Sequence, residues 1–195
     1  LLLSVLSLST FSMLSQSDIV SIRTFEKGST LVVNGDSFMI NGMNWDMIPI
    51  GKDAVNTNFW NKPDELIKAG LESEMSLLKQ MNVNAIRHYS DIPSKWVQYI
   101  FENYGIYTML NHSFGRYGLT VNGVWEPITD YSDHDTQKVL LSAIETLVNK
   151  YKNTPGLLLY LLGNENNYGL FWSGAETEDF PQEESKKKAV QIGRA

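Results

Sequence analysis

Leu157-Leu158-Leu159-Tyr160-Leu161-Leu162-Gly163-Asn164-Glu165-Asn166-Asn167-Tyr168-Gly169-Leu170-Phe171-Trp172 sets the architecture of the chain. Six apolar residues run unbroken into a glycine. Such a run predicts a strand buried on both faces, as in a parallel sheet. Gly163 to Asn167 are small or polar, and only Glu165 among them ionises. A polar cluster therefore follows the carboxyl end of a buried strand, the end at which α/β folds bind ligands. Gly-Asn-Glu-Asn-Asn also suits a plain turn, because Asn and Gly are common turn formers. Tyr168, Phe171 and Trp172 crowd the same segment. A carboxyl among aromatic rings is poorly hydrated, which raises its pKa and fits it for general-acid work.

Working outward, the pattern is of helices alternating with short strands. Asn153-Thr154-Pro155-Gly156 breaks the helix that precedes Leu157. That helix runs to Tyr151, has Asp133 or Asp135 as its cap, and carries Val139, Leu140, Ile144, Leu147, Val148 and Tyr151 as its apolar residues. Before it lies a loop of roughly twenty residues with Phe114, Tyr117 and Trp125, long by the usual standard. Ile106 to Leu110 reads as a strand ending in Asn111-His112. Pro93 opens a helix with Trp96, Val97, Ile100, Phe101 and Tyr104, stopped by Gly105. Ala85 to Tyr89 is a short strand ending in Arg87-His88. Pro63 starts another helix, with Asn61 a possible cap and Leu66, Leu71, Met75, Leu78 and Met81 as its stripe.

The region from 19 to 45 is β-rich. Ile19 to Arg23 alternates, and Asn34-Gly35 between Leu31-Val32-Val33 and Phe38-Met39-Ile40 is a hairpin signal. The second arm is expected to run on to Trp45. A loop with Asp46, Pro49, Gly51 and Trp60 follows. Leu1 to Leu14 holds only apolar residues, serines and one threonine, too short for a confident membrane span. It fits the apolar part of a secretory signal peptide with cleavage near Ser15-Gln16-Ser17, so residues 1–17 imply export. A disordered or helical tail is the alternative.

Successive βα units mean a parallel sheet. No Gly-x-Gly-x-x-Gly follows the first strand and no Walker lysine loop occurs, which disfavours nucleotide binding. Strand ends at Asn44-Trp45-Asp46, Arg87-His88, Asn111-His112 and Asn164-Glu165 converge on one face, as at a (β/α)8-barrel site. A whole barrel needs about 250 residues. The 195 residues therefore predict an α/β chain holding about the first four βα units of a TIM barrel, over 18–195, preceded by a short β-hairpin. The chain starts without Met and ends in a helical pattern at 185–195, which reads as truncation at both ends.

Composition removes other classes. A net charge of −6, with no basic face, argues against nucleic acid. Lys186-Lys187-Lys188 follows Glu183-Glu184 and reads as a solvated helix face. The absence of cysteine excludes disulfides, thiolate catalysis and zinc-thiolate sites. Nothing points to stable membrane insertion, and nothing defines an oligomeric state.

Phe38-Met-Ile-Asn-Gly-Met-Asn-Trp45, Asn84-Ala-Ile-Arg87-His88-Tyr89, Gly105-Ile-Tyr107 and Leu162-Gly163-Asn164-Glu165, in this order and spacing, resemble the family 2 glycoside hydrolases and their clan of retaining barrel glycosidases. The resemblance implies an oligo- or polysaccharide substrate with β-linked O-glycosidic bonds and no metal or organic cofactor. It implies Glu165 as general acid/base, Asn164 on the sugar 2-hydroxyl and Arg87 bracing a nucleophile carboxylate. His88, Asn111, His112 and Trp45 would line the sugar site, and Trp125 and Trp172 are stacking candidates. Arg87 could instead pair with any buried carboxylate, the histidines could be structural, and the tryptophans could be core.

The clan's nucleophile is a second Glu at the end of the seventh strand, whereas this chain reads as stopping after the fourth. Glu176, Glu178, Glu183 and Glu184 are poorly placed to replace it. The family's leading β-sandwich domains read as absent, with only the hairpin of residues 19–40 expected before the barrel. A β-1,3-glucan transglycosylase shares the same motifs. A non-catalytic carbohydrate-binding barrel and a purely structural α/β domain are the readings from other classes.

Overall fold

The computed structural model describes residues 18–47, 58–89, 92–164 and 166. The expected leader over 1–17, Pro49 and Gly51, Glu165, the ring cluster Tyr168, Phe171 and Trp172, and the carboxyl-terminal helical pattern lie outside them.

The chain opens with an antiparallel sheet of β1 (Val20–Phe25), β2 (Gly28–Val33) and β3 (Asp36–Ser37), in that order. Asn34 and Gly35 have φ of 51° and 94°, the left-handed pair that a two-residue hairpin requires. The second arm does not continue to Trp45 as the pattern suggested. Its ladder ends at Ser37, and β4 (Gly42–Asn44) joins a different sheet. Three bonds enforce the change. Asn41 N–H donates to Asn84 Oδ1 (2.8 Å), Asn41 Nδ2 to Asn82 O (2.6 Å), and Asn84 Nδ2 to Met39 O (2.8 Å).

The second sheet is parallel, in the order β4, β5 (Ala85–His88), β6 (Tyr107–His112), β9 (Leu157–Leu162). Helices α1 (Asp64–Gln80), α2 (Ser94–Tyr104) and α3 (His134–Tyr151) connect successive strands. Pro63 stands at the start of α1, and Asn61 belongs to a separate 3₁₀ turn. The buried stripe of α1 is Ile67, Leu71, Met75 and Leu78, whereas Leu66 and Met81 are exposed. A four-residue step back from Leu71 lands on Ile67, which the expected stripe missed. Gly105 ends α2 at φ 68°, and Asp133 caps α3 by accepting from Thr136 N–H (2.8 Å). Tyr151 is buried and donates its hydroxyl to Ile92 O (2.6 Å), tying the end of α3 to the approach to α2.

The core lies on both faces of the parallel sheet. On the helix side Ile86 and Leu110 meet Ile67, Leu71, Met75, Val97 and Ile100. On the other, Ala85, Met109 and Leu158 meet Val33, with Val20, Leu31 and Phe38 of the first sheet region packed against them. The antiparallel sheet thus covers the amino-terminal ends of the parallel strands and leaves their carboxyl ends to the polar residues. β9 is less buried than expected: Leu158 is enclosed, but Leu162 is 52% exposed. Among the described residues it has a strand neighbour on one side only.

The long segment after β6 is not a bare loop. It folds a hairpin of β7 (Leu119–Val121) and β8 (Val124–Glu126). Asn122 and Gly123, at φ 50° and 81°, form its turn. Val-Asn-Gly-Val is a legible hairpin signal, but arms of three residues are too short to show alternation.

Candidate active site

Parallel registry aligns the strand ends. Asn44 lies beside Arg87, His88 beside Leu110, and Asn111 and His112 beside Leu161 and Leu162. Arg87 is half-buried at the end of β5. Its Nε and Nη2 donate to Asn111 Oδ1 at 3.0 and 2.6 Å, and Nη2 donates to Asn164 Oδ1 at 3.0 Å. Its guanidinium carbon stands 4.6 Å from the Tyr89 ring centroid. One planar fork therefore joins three strand ends, which a flexible ammonium cannot do with the same geometry. Both amide oxygens face the cation, so each Asn side chain keeps its NH2 as a donor for another partner.

Successive residues of a strand point to opposite faces. Arg87 and His88 divide accordingly. His88 is 1% exposed, with Nδ1 3.2 Å from Asp46 Oδ1 and its ring near those of Trp45 (5.8 Å) and Trp60 (5.7 Å). Trp45 is also buried in the helix-side core, and its indole N–H donates to Glu74 Oε2 of α1 (2.8 Å). The structure thus groups Arg87, Asn111 and Asn164, and places His88 and Trp45 in a separate cluster on the helix side. His112 accepts the Phe114 N–H on Nδ1 (3.0 Å), and its carbonyl accepts Gly163 N–H (2.8 Å). It holds together the segments that leave β6 and β9. Glu165 and Trp172 lie outside the described residues.

Asn166 is a site residue that sequence reasoning missed. Its Oδ1 accepts Asn164 N–H (2.7 Å). Its Nδ2 lies within bonding distance of Phe114 O (2.9 Å), Ser113 O (3.3 Å) and Tyr131 Oη (2.6 Å). Tyr131 in turn donates to Phe114 O (2.7 Å), and the Phe114 and Tyr131 rings stack at 5.8 Å. Burial raises the Tyr131 pKa, while the Asn166 bond and the charge of Arg116 pull against that rise. The phenol therefore stays protonated near neutral pH and remains a donor. Gly163 is required here: its φ is 111°, and a Cβ would stand 2.5 Å from Asn166 Oδ1. The sequence signal was only an amide beside a candidate acid. Apart from Asn164, its partners are 35 to 53 residues away.

Among the described residues no group of three or more His, Cys, Asp or Glu side chains is placed to hold a metal ion. Nor is any described helix long and apolar enough to cross a membrane.

Parallel βα units with polar groups gathered at the strand ends define a barrel-type α/β protein. Residues 25–177 match the family described as "Glycosyl hydrolases family 2, TIM barrel domain", and the chain belongs to that family. It is 28% identical over 148 residues to a β-galactosidase of Lactococcus lactis subsp. lactis (strain IL1403), covering 74% of this chain and 13% of the relative. A β-galactosidase of Arthrobacter sp. (strain B7) is 27% identical over 143 residues, 72% of this chain and 13% of the relative. A Saccharomyces cerevisiae protein named as a probable 1,3-beta-glucanosyltransferase is 32% identical over 90 residues, 45% of this chain and 16% of that protein. The chain thus spans about an eighth of the length of the β-galactosidases it matches.

Proposed function

We propose that the whole protein is a retaining glycoside hydrolase acting on β-linked O-glycosidic bonds of an oligo- or polysaccharide, with Glu165 as its general acid/base. The observation that carries this reading is the bond from Arg87 to Asn164, the residue before Glu165. It ties the acid's neighbour to the strand ends that would hold the sugar. Family membership and the named activities of the β-galactosidase relatives support it.

In this reading residues 18–195 supply the first four βα units of an eight-unit barrel, and the nucleophilic carboxylate comes from a later strand. Asn164 donates its NH2 to the sugar 2-hydroxyl, and Arg87 holds Asn164 and Asn111 in place. Glu165 protonates the leaving oxygen as the nucleophile attacks. It then deprotonates the water that releases the glycosyl-enzyme, a pairing that needs carboxyls about 5–5.5 Å apart. Residues 1–17 serve as a secretory leader, so the enzyme works outside the cytoplasm. Amino-terminal sequencing of the exported protein tests that part.

Similarity to the yeast protein named as a probable 1,3-beta-glucanosyltransferase favours a second reading, transfer to an acceptor sugar in place of water. Product analysis with added acceptor separates the two.

The test of the acid/base role is Glu165→Gln in the protein with its complete barrel. Substrates with poor leaving groups should lose most, since they need the proton as the bond breaks. Activated aryl glycosides should still form the glycosyl-enzyme, and azide should restore their turnover with retained configuration. Equal losses across a leaving-group series, without azide rescue, would remove Glu165 from the chemistry.

A further inference from the structure

Of the tryptophans among the described residues, Trp45 and Trp96 are buried, Trp60 is partly buried and Trp125 is 58% exposed. It sits on the β7–β8 hairpin, which follows β6 at the carboxyl end of the parallel sheet. Antiparallel pairing sets Trp125 opposite Thr120, on one face of the hairpin. Val121, Val124 and Glu126 belong to the other face and line a cleft of about 430 Å³ with Thr136 of α3. The tryptophan face is therefore turned away from α3. Behind the ring lies bare backbone: a Cβ built on Gly118 would stand 2.7 Å from Trp125 Cζ2. One edge of the indole lies against that glycine, while much of the ring remains open to solvent. Tyr117, next to Gly118 in the chain, is also exposed.

The feet of this hairpin are fastened to the candidate active site. Thr129 Oγ1 donates to Gly115 O (2.6 Å), Tyr131 Oη to Phe114 O (2.7 Å), and Asn166 Nδ2 to Phe114 O (2.9 Å). The segment that carries Trp125 and the segment that carries Glu165 thus share one hydrogen-bonded base.

We propose that Trp125 is the floor of a pyranose-binding subsite for a sugar unit of the same glycan, away from the bond that is cleaved; this rests on the glycosidase reading above. An aromatic face is electron-rich at its centre. A pyranose in a β-linked chain presents a face of axial C–H groups, apolar and slightly positive, that matches it. An indole has only two side-chain torsions to order on binding, so the contact favours affinity.

The experiment compares wild type, Trp125→Ala and Trp125→Phe in the protein with its complete barrel. The substrates are an aryl monoglycoside and short and long β-linked oligosaccharides of the same sugar. Trp125→Ala should raise KM for the long oligosaccharides about tenfold, with kcat and the monoglycoside unchanged. Trp125→Phe should retain most of the affinity. Unchanged KM across lengths would overturn the subsite. So would equal losses on all substrates accompanied by a lower Tm, the mark of a packing role. If wild type cleaves no glycoside, the glycosidase reading fails first and the subsite with it.

Discussion

Arg87 Nη2 donates to Asn164 Oδ1 at 3.0 Å, joining residues 77 positions apart across the ends of β5 and β9. The same guanidinium holds Asn111 on the intervening strand β6. Arg87→Lys keeps the charge but removes the fork. Misplacing Asn164 should lower kcat/KM of the complete protein about 10²-fold. Tm should change little, because Arg87 is only half-buried. Wild-type kinetics in Arg87→Lys would show that its charge alone matters.

Asn166 is the clamp between the segments following β6 and β9. Asn166→Asp keeps its shape but turns a carboxylate oxygen toward the carbonyls of Ser113 and Phe114. Leaving those acceptors facing a like charge should cost about 1–3 kcal/mol in urea unfolding. It should also lower kcat more than it raises KM. Tyr131→Phe keeps the ring stack on Phe114 and loses only the hydroxyl, so its effect should be smaller.

Gly156 leads into β9 at φ 80°, and a Cβ there would lie 2.2 Å from Phe101 Cβ of α2. Gly156→Ala meets both a strained backbone and a clash. Gly35→Ala, at φ 94° in the first hairpin, meets the strain alone, with no atom within 4 Å. Denaturant melts should show Gly156→Ala less stable than Gly35→Ala by roughly 2 kcal/mol or more.

Tyr107 opens β6, and its pKa is pushed from 10.0 up to about 12, first by burial and then by the negative charge of Asp18. A raised folded-state pKa means that the neutral phenol is favoured in the fold. The stability it contributes is fully present below pH 10 and lost as pH rises through about 12. Tyr107→Phe cannot ionise, so its Tm should fall less steeply across that window. The slope that remains belongs to other tyrosines, of which Tyr104, Tyr131 and Tyr160 are also shifted upward. Parallel Tm curves for the two proteins would place Tyr107's ionisation outside the stability of the fold.

Local rules were enough for much of this chain. Asn34-Gly35 marked its hairpin because few residues tolerate positive φ. Gly105 and Asp133 marked helix ends because orphan backbone groups there need partners. The alternation of βα units implied parallel strands, since a parallel pair needs a crossover. The Val-Asn-Gly-Val turn of the β7–β8 hairpin is equally local, but arms of three residues give no alternation to set it apart from the long segment around it. Leu66 and Ile67 are adjacent apolar residues, and only the four-residue step from Leu71 tells the buried Ile67 from the exposed Leu66.

The sequence by itself determined the order of elements, the turns and the polar strand ends, since each depends on neighbours within a few positions. Only the tertiary structure decided which strand-end residues meet. Both faces of the parallel sheet are buried, so period-two alternation separates Arg87 from His88 without saying which of them faces Asn111 and Asn164. Packing of β1 to β3 against one face and of the helices against the other makes that choice. Asn166 had no local mark beyond its place beside Glu165, because apart from its bond to Asn164 its hydrogen bonds exist only once the β6 and β9 segments have been brought side by side.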